Sequence, residues 1–248
     1  MVQSREIKSA KDLPMRWLIL ALTLSLPACD VTLSTSQTGV PDTPDTSVQP
    51  VNSDGFAAVV RAVQPVANQE CRRRTQGVNC AFMVQVDTNR RSAPNAFQSV
   101  DDQGRPVLTF TTSLIESVRN PDELAFILGH EAAHHIAGHL ARQERNAASG
   151  AAVFADLAAL TGGSAADIES AQKLGASVGA RSYSKEFELE ADELGTIITY
   201  RAGYNPLVGA QFFTTFADPG DRFLGSHPPN ADRVNVVRRT SARLGLVQ

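Results

Sequence analysis

Residues 130–139 hold four of the chain's five histidines, and their spacing constrains the fold more than any other stretch. The run His130-Glu131-Ala132-Ala133-His134-His135-Ile136-Ala137-Gly138-His139 opens with the pattern H-E-x-x-H. On an α-helix, residues four apart stand nearly one above the other, so His130 and His134 can aim imidazole nitrogens at one point. Neutral imidazoles at that spacing suit zinc. Glu131, turned about 100° from His130 around the helix, is placed to act on a water at the ion. The residues before the motif support a helix. Leu124, Ile127 and Leu128 repeat with helical period, Asn120 can serve as N-cap, Pro121 fits the first helical position, and Glu123 sits where a capping-box carboxylate belongs.

A hydrolytic zinc site uses three protein ligands and keeps one position for water. The segment from Ser184 to Gly195 is rich in carboxylates. On a helix Glu188 and Asp192 share a face. Glu188 is the candidate third ligand, and Asp192 can accept the second N–H of a ligand histidine, which fixes the ring's tautomer. The competing reading is a solvated acidic face. His135 and His139, also four apart, share a helical face as well. Ile136 occupies the place where a second catalytic glutamate would have to be, so this pair belongs to the polar face or supports the ligands.

The N-terminus speaks to location. Arg16 precedes an apolar stretch from Trp17 to Leu26, followed by Pro27-Ala28-Cys29. An apolar run of that length is too short to cross a bilayer, which takes about 20 residues, but it suits a secretory signal. Leu26-Pro27-Ala28-Cys29 resembles a bacterial lipobox, which implies a signal over residues 1–28, with a true start at Met15 as an alternative, and a lipid on Cys29. An ordinary cleaved signal with an incidental cysteine is the competing reading. Residues 29–52 then form a flexible tether, because Ser, Thr, Pro and Asp without aromatic residues cannot bury enough surface to offset chain entropy. The expected location is the periplasmic side of the cell envelope, on either membrane. In that oxidising compartment Cys71 and Cys80 should pair across a short loop holding Arg72, Arg73, Arg74 and Gly77. A net charge of -3 and the lack of a broad basic face argue against nucleic acid as a partner.

Residues 53–248 amount to one domain. Asp54 can cap a helix carrying Phe56, Val59, Val60 and Val63, with a disturbance at Pro65. Strands are expected over residues 82–86, 95–100 and 107–111, and a short helix over 113–118. The Ala, Gly and Ser-rich stretch 147–180 reads as two helices broken at Gly162-Gly163, packed closely through small residues; a flap or membrane-surface hairpin is the alternative. Strands first and helices after indicate an α+β domain.

Taken together, His130-Glu131-Ala132-Ala133-His134 and Glu188-Leu189-Glu190-Ala191-Asp192 resemble the HtpX, CAAX-prenyl-protease and Oma-type zinc metallopeptidases, gluzincins that pair H-E-x-x-H with a later E-x-x-A-D. Pro94-Asn95-Ala96-Phe97, Ala202-Gly203-Tyr204-Asn205-Pro206, His227-Pro228-Pro229 and Arg233 resemble further family elements. The resemblance implies a mainly helical zincin-like domain with a small mixed sheet whose edge strand borders the cleft. It implies one Zn2+ per chain on His130, His134 and Glu188, and Glu131 as the residue that activates water. It also implies an endopeptidase acting on unfolded or misassembled envelope proteins, in quality control. His227 is then an oxyanion stabiliser, a fourth ligand or a structural loop residue, and Tyr183, Tyr200 and Tyr204 are further oxyanion candidates. The alternative is a zinc-stabilised binding or chaperone-like lipoprotein in which His227 closes the site.

Overall fold

The computed structural model of the chain describes residues 53–215, 217, 218, 220 and 227–246. The signal, Cys29 and the tether lie outside the described residues. The first element is helix α1, Ser53–Arg74. Its buried positions Val59, Val63, Ala67 and Cys71 recur at helical spacing. Pro65, expected to disturb this helix, lies inside it without ending it. It sits on the exposed side, where water can satisfy the carbonyl that loses its N–H partner. Arg72, Arg73 and Arg74 finish the helix, where cations suit the dipole. Cys71 and Cys80 form a disulfide with Cα atoms 5.6 Å apart.

Three strands follow: β1 (Met83–Asp87), β2 (Ala96–Val100) and β3 (Pro106–Thr111). The order is β1-β3-β2, with β1 parallel and β2 antiparallel to β3. Every residue of the central strand β3 is buried. Pro106 takes its first position, where a missing N–H disturbs the ladder least. A short helix α2 (Thr112–Ser117) is capped by the Thr111 hydroxyl.

Helix α3 (Pro121–Ile136) runs through the middle of the domain, packed against α1, the sheet and two later helices. Asn120 Oδ1 accepts from the Glu123 backbone N–H at 2.9 Å. The Glu123 carboxylate does not close a capping box. It reaches one residue further back, to the Arg119 backbone N–H at 2.8 Å, and also accepts from the Arg119 guanidinium. The helix is buried almost all round from Glu123 to His130, as a core helix must be.

The chain then turns at Gly138, whose φ of +66° lies in the left-handed region that glycine reaches without strain. Helix α4 (His139–Leu160) and helix α5 (Ala165–Arg181) form an antiparallel hairpin. Its two arms meet through small residues: a Cβ on Gly150 would lie 2.2 Å from the Gly175 carbonyl oxygen, and one on Gly179 would lie 2.1 Å from that of Asn146. Helix α6 (Ser184–Arg201) returns to α3. A short α7 (Pro206–Gly209), a 3-10 helix (Ala210–Thr215) and α8 (Asn230–Arg243) complete the domain. The result is an α+β, mainly helical fold with a small mixed sheet.

Candidate metal centre

The site is made where α3 and α6 cross. Their contacts fall in antiparallel register. The Thr199 hydroxyl reaches the Ala125 carbonyl, Gly195 abuts Gly129, Asp192 meets His130, and Glu188 meets His134. Gly129 and Gly195 allow the close approach. A Cβ on Gly129 would lie 2.9 Å from the Gly195 carbonyl oxygen, and one on Gly195 would lie 2.9 Å from the His130 backbone nitrogen. Helical period carries this register on to Glu188, about two turns before Gly195.

His130, His134 and Glu188 each offer one ligand atom within 4.8 Å of the others. His130 Nε2 and His134 Nε2 are 3.0 Å apart. Glu188 Oε1 lies 3.3 Å from His134 Nε2, and Oε2 lies 3.6 Å from His130 Nε2. Two ligands at tetrahedral angles, each about 2.0–2.1 Å from one ion, stand about 3.3 Å apart. The three donors therefore fit a single small cation such as zinc, in both chemistry and spacing. They line a cleft of about 660 Å³ together with Glu131, which lies next to His130 on α3. Pro94 to Gln98 form one rim, so the edge strand β2 borders the cleft. The three tyrosines lie outside the described lining.

The opposite nitrogens of both histidines are engaged. His130 Nδ1 is 2.9 Å from Asp192 Oδ1. Asp192 is fully buried and receives Arg233 at both oxygens, from Nε at 2.8 Å and Nη2 at 2.7 Å. Arg233, from α8, lies over the Phe213 ring at 3.8 Å and is 3.4 Å from Glu188 Oε2. Among sequence features, only the family resemblance points to Arg233. Its partner lies on another helix, and no local spacing could have named it. His134 Nδ1 is 2.8 Å from His139 Nδ1.

The electrostatics follow from these contacts. Burial opposes charge on His130, but hydrogen bonds to Asp192 and Glu188 outweigh it and raise its pKa to about 10. Burial also disfavours the Glu188 carboxylate, yet His130, His134 and His227 hold its pKa well below the usual range. Asp192 is lowered against the same burial cost by Arg233 and His130. His139 moves the other way: burial and the neighbouring His134 press it down to about 4, against the pull of Glu190.

Two histidines differ from expectation. His135 and His139 share no helical face, because α3 ends at Ile136 and Gly138 redirects the chain. His135 Nε2 lies 2.8 Å from the Asn79 carbonyl oxygen, its ring edge-on to Phe82, so it ties α3 to the disulfide loop. His139 turns back to His134. His227 is over half exposed, and its Nδ1 lies 3.3 Å from Glu188 Oε2. It touches the candidate ligand carboxylate but is not one of the three converging donors.

Comparison with known proteins decides the family. The model for peptidase family M48 matches residues 57–241. The chain belongs to peptidase family M48. A beta-barrel assembly-enhancing protease of Vibrio cholerae serotype O1 is 26% identical over 193 residues, covering 72% of this chain and 40% of that protein. The chain thus matches well under half the length of this relative. M48 is a family of metallopeptidases, which are hydrolases. The chain's H-E-x-x-H helix and the helix carrying Glu188 both fall inside the matched residues.

Proposed function

We propose that this M48 domain is a zinc-dependent endopeptidase of the bacterial cell envelope, held at the periplasmic side of a membrane by a lipid on Cys29, and that it cuts unfolded or misassembled envelope proteins. The convergence of His130, His134 and Glu188 beside Glu131 in one cleft carries this reading. Two imidazole nitrogens and one carboxylate oxygen are the donor set of a hydrolytic zinc site. When bound, the ion supplies Lewis acidity toward a carbonyl oxygen and a water molecule. Glu131 takes the proton of the attacking water and passes it to the leaving amine. Asp192 and Arg233 hold His130 in place while this happens. A peptide laid along the β2 rim binds through its backbone, which reads side chains weakly and admits many sequences. The Vibrio cholerae relative is named for β-barrel assembly, which supports substrates drawn from the envelope.

A Glu131→Gln variant tests the reading. It should keep zinc at wild-type stoichiometry while cleavage of casein falls about 10²–10⁴-fold. Undiminished cleavage would remove Glu131 from the chemistry. The contact between His227 and Glu188 supports a second reading, a zinc-stabilised binding or chaperone-like lipoprotein with His227 closing the site. Cobalt-substituted spectra separate the two: loss of one protein ligand in His227→Ala, without gain of cleavage, would favour the closed site.

A further inference from the structure

A second chain of polar contacts leads away from the metal centre through His134. His139 begins α4 and is 4% exposed. Its Nδ1 is 2.8 Å from His134 Nδ1, and its Nε2 is 3.2 Å from Glu190 Oε2. The same Glu190 oxygen accepts from Arg142 Nη1 at 2.7 Å. The Phe187 ring stacks on His139 with centroids 4.6 Å apart and planes 12° from parallel. The Arg142 guanidinium carbon lies 4.3 Å from the centroid of that same ring. His139 is therefore held in orientation by stacking, and by a hydrogen bond at each nitrogen.

The hydrogen-bond directions follow by elimination. A carboxylate only accepts, so His139 carries its proton on Nε2, facing Glu190. A neutral imidazole that ligates through Nε2 carries its proton on Nδ1, so His139 Nδ1, 2.8 Å from His134 Nδ1, meets a ligating His134 with a lone pair. His134 must then hold its proton on Nδ1 and donate it to His139. Its Nε2 is left with a lone pair aimed at the point where His130 and Glu188 converge. Once both rings are neutral and ligating, the two candidate ligand histidines share one tautomer by different partners, His130 through a buried carboxylate and His134 through an imidazole.

We propose that His139 is a positioning residue for the metal centre: anchored by Glu190, it accepts the Nδ1 proton of His134 and so presents His134 Nε2 to the ion in ligating form. The proposal rests on the zinc reading above and adds to it a partner that H-E-x-x-H spacing does not contain.

The test is zinc affinity of the full chain, read by competition with a chromophoric chelator, beside the melting temperature of the metal-free protein. His139→Leu keeps an apolar surface against Phe187 but has no acceptor, and should weaken zinc binding about 10–100-fold. His139→Asn places an oxygen near the position of Nδ1 and should recover most of that loss. His139→Gln puts its amide near Nε2, toward Glu190, and should not. The Asn and Gln variants match closely in polarity, so their difference isolates the acceptor even where the Leu variant folds poorly. A purely structural His139 would shift the metal-free melting temperature of Asn and Gln variants alike and leave their zinc affinities equal. Equal affinities for these two variants, with wild-type protein binding zinc, would overturn the proposal alone. Failure of wild-type protein to bind zinc would overturn the metal reading beneath it.

Discussion

Arg233 holds Asp192 through two parallel hydrogen bonds, Nε to Oδ2 at 2.8 Å and Nη2 to Oδ1 at 2.7 Å, with both residues buried. The pair joins α8 to the helix that carries Glu188. A lysine cannot reproduce the planar fork. Arg233→Leu leaves Asp192 as a buried charge facing only His130, and should cost about 3–5 kcal/mol of stability. Arg233→Lys should fall between Leu and wild type. Chemical denaturation of the metal-free protein measures both.

Gly195→Ala should damage the metal centre more than the fold. The new methyl would press on the His130 backbone nitrogen at 2.9 Å, and backbone cannot step aside as a flexible side chain can. Overpacking of this kind costs about 1–3 kcal/mol. The helices must separate to relieve it, which moves Glu188 away from His134. Zinc affinity should drop while helix content by circular dichroism stays near wild type. Unchanged zinc affinity would show that the crossing distance does not set the site.

Zinc binding should expel a proton from His130. Its folded pKa of about 10 lies above the ordinary imidazole value, because Asp192 and Glu188 outweigh burial. The protonated ring therefore stabilises the metal-free fold fully below about pH 6.5, and that contribution fades as pH rises through its folded pKa. A ligating ring must be neutral, so apparent zinc affinity should climb about tenfold per pH unit around neutrality. Calorimetry at pH 8 in buffers of different ionisation enthalpy counts the proton. A count of zero would contradict a charged His130.

Reduction of the Cys71–Cys80 bridge should lower stability by about 2–3 kcal/mol, the loop-closure value for a ring of this size. The loop between the cysteines also supplies the Asn79 carbonyl that receives His135, next to His134. A Cys71→Ser, Cys80→Ser double variant should melt at lower temperature and lose part of its zinc affinity. Loss of stability alone would confine the bridge to a structural role.

The parts of this domain written in local spacing were readable from sequence. Asn120, Pro121 and the H-E-x-x-H run share one helix, and Glu188 and Asp192 share another, so period alone placed each pair on one face. The strands came within a residue or so of their observed ends for the same reason. Pro65 misled because its effect depends on whether the freed carbonyl can reach water, a property of packing. Continuing the motif helix to His139 also misled, although Gly138 after Ile136 and Ala137 was an available stop signal. Arg233 with Asp192, and Glu190 with His139 and Arg142, join different helices. Their pairing depends on how those helices cross, which no sequence window records.

The hairpin of α4 and α5 fills the interval between His134 and Glu188, yet the two donors meet through a crossing in which the outer part of that hairpin takes no share. Beyond Arg142 the two arms mainly bind each other, closed by the tight turn at Gly162. Removing or adding matched helical turns at the outer end of the hairpin should therefore leave the crossing of α3 and α6, and with it the spacing of His134 and Glu188, unchanged.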